Sequence, residues 1–289
     1  MSLLIAGMGT SVPTYQIEQS DAAEQASQLS CQTLAQKRLL KTLYRRAGVQ
    51  TRHSVLLESA TNGRPAEQEF YTSNDQQGPS TAERMAAYEL HAAPLAVAAA
   101  RNALVAAHIG GDEVTHLVTV SCSGFSAPGV DLEIISELAL PVATSRTHVG
   151  FMGCHGALNG LRVAAAYAGA DPGARVLICA VELCSLHHQY GWEPDQIVAN
   201  SLFADGAAAI VGWAAVPRAD QWHLVDQRSA VIPGTTEMMH WRIRDHGFQM
   251  TLSPQVPQVI DDNLRPWISS WLAEHHLSIT DIKSWAVHP

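Results

Sequence analysis

Short apolar runs alternate along this chain with longer segments of helical composition, and that alternation restricts the possible folds more than any other feature. The runs predicted as strands lie within residues 3–7, 116–121, 175–181 and 201–213. They are almost continuously apolar, as strands are when helices cover both faces of their sheet. The pattern predicts an α/β fold in which a largely buried sheet lies between helical layers.

Helix signals are clearest in the middle of the chain. Ser80 and Glu83 have the spacing of a capping box, in which each side chain binds a free amide at the start of a helix. Pro94 is expected to divide the Ala-rich stretch that follows into two helices. Helical composition also covers residues 19–46, 157–170 and 256–275.

A change in the sequence pattern near Val216 and Pro217 predicts that the chain has two parts, residues 1–215 and residues 216–289. Residues 284–288 have the composition of a strand. A layer that ends in a single strand is incomplete, so we expect the second part to be truncated at its C-terminal end.

Composition excludes several classes of protein. Hydrophobic residues make up 47% of the 289, which suits a large buried core and not a disordered chain. The 18 Lys and Arg against 27 Asp and Glu leave a formal charge of −9, which argues against nucleic-acid binding. The most apolar stretch, residues 92–109, is interrupted by polar side chains, and the N-terminus lacks the basic start of a secretory signal. With five cysteines in no disulfide or metal spacing, we expect a reduced cytoplasmic protein with no membrane span.

Cys154 is the strongest candidate for a reactive residue in the sequence. It lies between Gly153 and Gly156, at the expected start of a helix. Glycine permits a tight turn, and a helix N-terminus lowers the pKa of a thiol, which favours a nucleophilic thiolate. The alternative is a small structural cysteine. A nucleophile needs a histidine partner, for which the sequence offers the candidates His155, His187, His188 and His288.

Three other kinds of site fit the residues less well. Cys184, His187 and His188 do not match a common zinc spacing. Met152 stands where a nucleophile elbow requires glycine. The Gly-Met-Gly of residues 7–9 lacks the third glycine of a dinucleotide fingerprint, so no cofactor and no metal are expected.

Four motifs together resemble those of chalcone-synthase-like proteins. They are VSCSGFSAPGVD at 120–131, THVGFMGCHGALNGLRVA at 147–164, SLFADGAAAIVG at 201–212 and WAVHP at 285–289. In this order they resemble a bacterial type III polyketide synthase over essentially the whole chain. The resemblance implies a thiolase-like, layered α/β/α/β/α fold whose second half is incomplete here.

By this resemblance, Cys154 matches the cysteine that accepts the acyl group and His288 matches the catalytic histidine. The implied reaction is the decarboxylative Claisen condensation of an acyl-CoA starter with malonyl-CoA. The family places an oxyanion-stabilising asparagine downstream of the histidine, beyond the last residue of this sequence. We therefore expect the chain as given to be impaired in extension.

The resemblance also assigns roles to residues around the substrate. Phe203 matches a gatekeeping phenylalanine, Ala127 matches a loop residue that reaches across a homodimer, and CoA thioesters are the expected partners. For the basic residues Lys41, Arg45 and Arg46, exposure to solvent at a helix end, without a bound ligand, is an equal alternative. The implied cavity residues are Cys122, Ser123, Trp241 and Met250, and the implied CoA-phosphate residues are Lys41, Arg45 and Arg46.

Two other functions remain open at this point. A ketoacyl-ACP synthase III-like initiator shares the cysteine and histidine chemistry, although no basic face for a carrier protein is evident. A non-catalytic fragment of a polyketide synthase would also retain Cys154 and His288. Asp205 is expected to be a structural turn residue.

Overall fold

The computed structural model describes residues 2–59, 67–73 and 77–288. Its α-helices are α1 (Gln19–Ser30), α2 (Leu34–Arg46), α3 (Thr81–Ala107), α4 (Val130–Glu137), α5 (Gly156–Ala170), α6 (Pro194–Leu202) and α7 (Val256–Glu274). Its strands are β1 (Ser2–Ser11), β2 (Gln16–Glu18), β3 (Thr51–His53), β4 (His116–Ser121), β5 (Ser145–Gly150), β6 (Val176–Leu183), β7 (Asp205–Ala215), β8 (Trp222–Leu224), β9 (Met239–Arg244) and β10 (Gly247–Leu252). Short 3-10 turns include Gly153–His155 and Cys184–His187.

The central element is a six-stranded mixed sheet in the order β5-β4-β6-β7-β1-β8. Strand β4 runs parallel to β5 and β6, whereas the pairs β6–β7, β7–β1 and β1–β8 are antiparallel. In β6, Leu177 and Cys179 face the core formed with α3, whereas Val176 and Ile178 face the core formed with α5. Helices therefore cover both faces, and the predicted α/β fold with a buried sheet is confirmed.

Helix α3 lies directly on the sheet. An added Cβ at Gly7 would come within 2.3 Å of the Ala103 carbonyl oxygen, and one at Gly9 within 2.3 Å of the Ala99 carbonyl oxygen. Only glycine on the strand, facing alanines on the helix, permits this approach. By length and hydropathy α3 could cross a membrane, but half of its most apolar stretch is buried in this core.

The expected break at Pro94 is wrong, because α3 continues through it. A proline inside a helix costs about 3 kcal/mol, and the flanking Ala92 and Ala96 are fully buried against the sheet. Tertiary packing therefore outweighs the local penalty. The predicted capping box at the start of α3 is confirmed, with Glu83 N donating to Ser80 Oγ at 3.3 Å and Ser80 N donating to Glu83 Oε2 at 2.7 Å.

In the second part of the chain, the first strand joins the central sheet and the later elements lie outside it. Strand β8 pairs with the edge of β1, β9 and β10 form a separate hairpin, and α7 follows. Residues 284–288 were expected to form a strand but pair with no strand among the described residues. Strand β5 and the hairpin were not predicted.

Asp226 connects the loop after β8 to α7. Its Oδ2 accepts hydrogen bonds from Trp271 Nε1 at 2.7 Å and from His275 Nε2 at 2.6 Å. The bond from Trp271 is the largest cause that lowers the pKa of this carboxyl to about 2.

We predict that Asp226→Asn weakens the attachment of α7, because the neutral amide is a poorer acceptor for both donors. Since the folded-state pKa is depressed, the contribution of Asp226 is present above about pH 4, the pKa of an unfolded aspartate, and is lost as the pH falls towards 2. Urea unfolding at several pH values measures this. Relative to an Asp220→Asn control, the deficit of the variant should be constant near neutrality and shrink below about pH 4. A deficit that grows on acidification would contradict the assignment.

Candidate active site

Cys154 lies on a sharp turn between β5 and α5. Phe151 and Gly153 both have positive φ, 53° and 64°, and the 3-10 turn Gly153–His155 leads into the helix. An added Cβ at Gly156 would lie 2.9 Å from Val120 Cγ1, so α5 packs closely on β4 from its first residue. Cys154 is exposed at the head of this helix.

A half-buried carboxylate, Glu182, lies beneath the neighbouring loop. Glu182 Oε2 accepts from Ser123 Oγ at 2.5 Å and from Ser123 N at 2.9 Å, and Oε1 accepts from Cys122 N at 2.9 Å. Ser123 Oγ in turn accepts from Leu183 N at 2.7 Å. Burial raises the pKa of Glu182 and these donors oppose the rise. The carboxylate thus holds the two residues that follow β4 in one conformation.

This carboxylate changes the expectation for Cys154. Surrounding protein displaces part of the solvent around the sulfur, and together with the negative charge of Glu182 this raises the pKa of the Cys154 thiol. The low pKa expected from the helix N-terminus is therefore wrong. The physical reason is that Cys154 precedes α5 in a 3-10 turn, where a nearby anion and desolvation both disfavour thiolate. The hydrogen bond from its own amide offsets them only in part.

His187 joins this loop to the β9–β10 hairpin. Phe248 N donates to His187 Nδ1 at 3.0 Å, so Nε2 carries the proton and donates to Ser123 O at 2.6 Å. The imidazole stacks on the Phe248 ring with centroids 4.1 Å apart. Burial lowers the pKa of His187 to about 4, so the ring is neutral near pH 7. Nearby, Trp241 Nε1 donates to Cys122 O at 2.8 Å.

A cavity of about 120 Å³ opens beside this cluster, between α1, the Cys184–His187 turn, α6 and the hairpin. Three of the residues predicted to shape the substrate cavity line it together, namely Phe203, Trp241 and Met250. Its walls also include Ile17, Tyr44, Arg52, Tyr71, Cys184, His187, His188 and Phe248.

Phe203 is held at the cavity by its backbone. Arg52 Nη1 donates to Phe203 O at 3.3 Å and to Asn200 O at 2.6 Å, where α6 ends. Asp205 accepts from the Ser185 amide and hydroxyl and from Val55 N, all at 2.6–2.8 Å. These contacts agree with the structural role expected for Asp205.

The remaining predicted residues are not among those that line the cavity, namely Lys41, Arg45, Arg46, Cys122, Ser123 and Ala127. Arg45 and Arg46 are exposed in the last turn of α2, whose buried Tyr44 reaches the cavity wall. Lys41, on the same helix, pairs with Glu24 at 2.6 Å. Ala127 is exposed in the loop after β4.

His288 is exposed at the C-terminal end of the described residues and is not among those that line the cavity. His187 is buried with both ring nitrogens hydrogen-bonded, whereas His188 is half-buried. Within the described ranges no three His, Cys, Asp or Glu side chains are grouped to hold a metal.

Two residues of the site were missed by the sequence analysis. Glu182 interrupts the apolar sequence of β6, and an acid inside such a strand is a signal that could have been followed. Arg84, fully buried near the start of α3, carries no comparable signal because charged residues are common in a first helical turn.

Similarity to solved structures defines the class of protein. The crystal structure of PKS-I from the brown alga Ectocarpus siliculosus is similar with a TM-score of 0.91 and 30% identity, over 98% of this chain and 76% of that one. The fold is therefore the thiolase-like fold of condensing enzymes, as the motifs predicted.

The family follows from the sequence comparisons. Residues 2–215 match the family model for chalcone and stilbene synthases, N-terminal domain. The chain is 31% identical to the alpha-pyrone synthesis polyketide synthase-like Pks18 of Mycobacterium tuberculosis, over 99% of this chain and 72% of that protein. It is 32% identical to the 1,3,6,8-tetrahydroxynaphthalene synthase of Streptomyces peucetius, over 99% of this chain and 73% of that protein. The chain belongs to the chalcone and stilbene synthase family, the type III polyketide synthases.

The Glu182 contacts generate a prediction about thiol reactivity. Glu182→Gln removes the negative charge that disfavours the Cys154 thiolate, so the pKa of Cys154 should fall and alkylation by iodoacetamide near pH 8 should accelerate. The amide oxygen can still take the place of Oε2, which accepts both Ser123 donors. Peptide mass spectrometry over a pH series measures the shift. Glu137→Gln, at an exposed position on α4, is the matched control, and an unchanged or raised midpoint in Glu182→Gln would contradict the account.

Proposed function

We propose that this chain condenses an acyl-CoA starter with malonyl-CoA, with Cys154 as the acyl acceptor. The observation that carries the proposal is the exposed Cys154 thiol at the head of α5, within the matching motif. Cys154 is not among the residues that line the cavity, but Cys184, which does line it, lies close enough to interact electrostatically with Cys154. Acyl transfer to a thiol requires this accessibility, together with a closed space for the chain that grows on it.

The proposed chemistry proceeds in two steps. The Cys154 thiolate attacks the thioester carbonyl of the starter, an acyl–sulfur bond forms, and CoA leaves as its thiolate. Malonyl-CoA then loses CO₂, and the resulting enolate attacks the acyl-cysteine carbonyl. A carbon–carbon bond forms, the bond to the Cys154 sulfur breaks, and the lengthened product leaves on CoA.

The raised pKa of Cys154 makes a base necessary for loading. We assign this role to His288, which would hold the thiolate as an ion pair and then polarise the thioester carbonyl. Burial and the charge of Glu182 both oppose thiolate formation at Cys154, so His288 would have to offset both.

The walls of the cavity determine which chains fit. Phe203 would separate the CoA entrance from the cavity, while Trp241 and Met250 occupy space inside it. Cys122 would face the growing chain from the loop that Glu182 holds. Ser123 is fully buried with its hydroxyl bonded to Glu182, so it would act only by fixing that loop. The large Trp241 ring argues for small products.

The proposal also covers the surroundings of the site. Arg45, Arg46 and Lys41 would bind the CoA phosphates at the end of α2, with Lys41 released from Glu24. The exposed Ala127 loop, next to the half-exposed Phe125, would pack against a second copy in a homodimer. We expect a cytoplasmic enzyme that needs no cofactor beyond its CoA substrates.

Replacement of the nucleophile tests the function. Cys154→Ala should reduce condensation of labelled malonyl-CoA with a panel of acyl-CoA starters by about 10³-fold or more, because no other group supplies the covalent intermediate. Chromatography of the products and CO₂ release are followed separately. Cys31→Ala, at a half-buried cysteine that caps the C-terminal end of α1, is the control. Product formation by Cys154→Ala at the rate of this control would contradict the proposal, and activity only with carrier-protein thioesters would favour a ketoacyl-ACP synthase III-like initiator.

A further inference from the structure

Arg84 is a fully buried cation near the N-terminal end of α3. Its Nε donates to Pro79 O at 2.8 Å, and its Nη1 donates to Leu186 O at 2.7 Å and to His188 O at 3.0 Å. The guanidinium carbon lies 5.3 Å from the centroid of the Tyr71 ring. One side chain therefore holds backbone carbonyls from two distant segments.

The partners of Arg84 are dipoles and not acids. Within the described part of the chain, Arg84 takes part in no ion pair, and burial lowers its pKa. Burying a charge without a carboxylate partner lowers the free energy of unfolding. A gain in stability therefore does not explain why Arg84 is buried. The planar fork of a guanidinium can reach several carbonyls at fixed angles, which the ammonium of lysine cannot do.

A third segment rests directly on the guanidinium. An added Cβ at Gly247 would lie 2.8 Å from Arg84 Nη1, so the first residue of β10 is in close contact with it. Thr81, three residues before Arg84, supports the same turn: its hydroxyl accepts from Gly247 N at 2.8 Å and donates to Arg244 O. Thr81 N donates to Asp245 O at 2.8 Å. The first turn of α3 therefore binds the turn of the β9–β10 hairpin.

Both segments held by α3 form walls of the cavity. The hairpin contributes Trp241, Phe248 and Met250, and the turn that Arg84 binds contributes His187 and His188. Arg84 does not line the cavity. It contacts both the hairpin and the turn that form these walls.

We propose that Arg84 is a positioning residue that sets the spacing of these two walls and thereby the range of starter acyl groups that the cavity accepts. The inference about starters rests on the proposed function, whereas the clamp itself is a property of the fold. Loss of the fork should let the hairpin move relative to the Cys184–His187 turn and relax discrimination between short and long starters.

Arg84→Lys is the informative variant, because it keeps the charge and removes the fork. Two acyl-CoA starters, one short and one long, compete in the same reaction with malonyl-CoA, and the ratio of their products is measured. This ratio does not depend on how much of the enzyme is folded, so lost stability alone leaves it unchanged. We expect a shift of roughly tenfold, the scale on which pocket contacts discriminate a methylene group. Arg101→Lys, exposed on the same helix, should leave the ratio unchanged.

Thr81→Val is a second variant that loosens the hairpin without touching the guanidinium, and it should shift the ratio in the same direction. Hydrogen–deuterium exchange supplies a readout without substrate. In Arg84→Lys, exchange should rise at residues 184–188 and 239–252 and stay unchanged in β4 and β6, whereas in Thr81→Val it should rise only at 239–252.

The outcomes separate the clamp from the proposed function. An unchanged product ratio in Arg84→Lys, or a uniform rise of exchange that includes β4 and β6, would overturn the positioning role. If the unaltered chain makes no condensation product, the proposed function fails, and the exchange pattern alone decides whether Arg84 clamps the two walls.

Discussion

The close contact between α3 and β1 is the constraint on which the rest of the molecule depends. Gly7 and Gly9 have no side chain where the backbone of α3 passes at Ala99 and Ala103. A methyl group on either glycine would overlap a helix carbonyl, so this contact fixes the height and direction of α3 on the sheet. Because α3 is a single helix of 27 residues, that direction also determines where its far end reaches the active site.

The far end of α3 organises the candidate site through two side chains. Arg84 donates to Leu186 O in the Cys184–His187 turn and to His188 O just after it, and Tyr88 Oη donates to Ser121 Oγ at 2.9 Å, where β4 ends. Glu182 then holds the residues that follow Ser121. These polar contacts hold the segment after β4 in one conformation beside the exposed Cys154. Burial and, after it, the charge of the same carboxylate raise the pKa of the thiol, so the contacts around Cys154 also favour its protonated form.

Local sequence predicted those features that local interactions decide. The apolar runs of β4 and β6 and the Ser80–Glu83 capping box need no distant partner, and the glycines around Cys154 indicate its turn. The continuity of α3 through Pro94 depends on burial against the sheet, which no local pattern shows. Polar residues in β5 and in the β9–β10 hairpin concealed these strands. The raised pKa of Cys154 arises first from burial and then from the charge of Glu182, 28 positions away, and both depend on the folded chain. The roles expected for Phe203, Trp241 and Met250 came from the resemblance, and the structure places these residues at one cavity.

The central claim is that Cys154 is the residue that accepts the acyl group. The most direct test is to incubate the protein with a labelled acyl-CoA in the absence of malonyl-CoA, stop the reaction in acid, and locate the label by peptide mass spectrometry. The account predicts one acyl group per chain, bound as a thioester to Cys154 and removed by hydroxylamine. An acyl group on Cys122 or Cys184, or no acylation at all under conditions in which the full reaction proceeds, would contradict it.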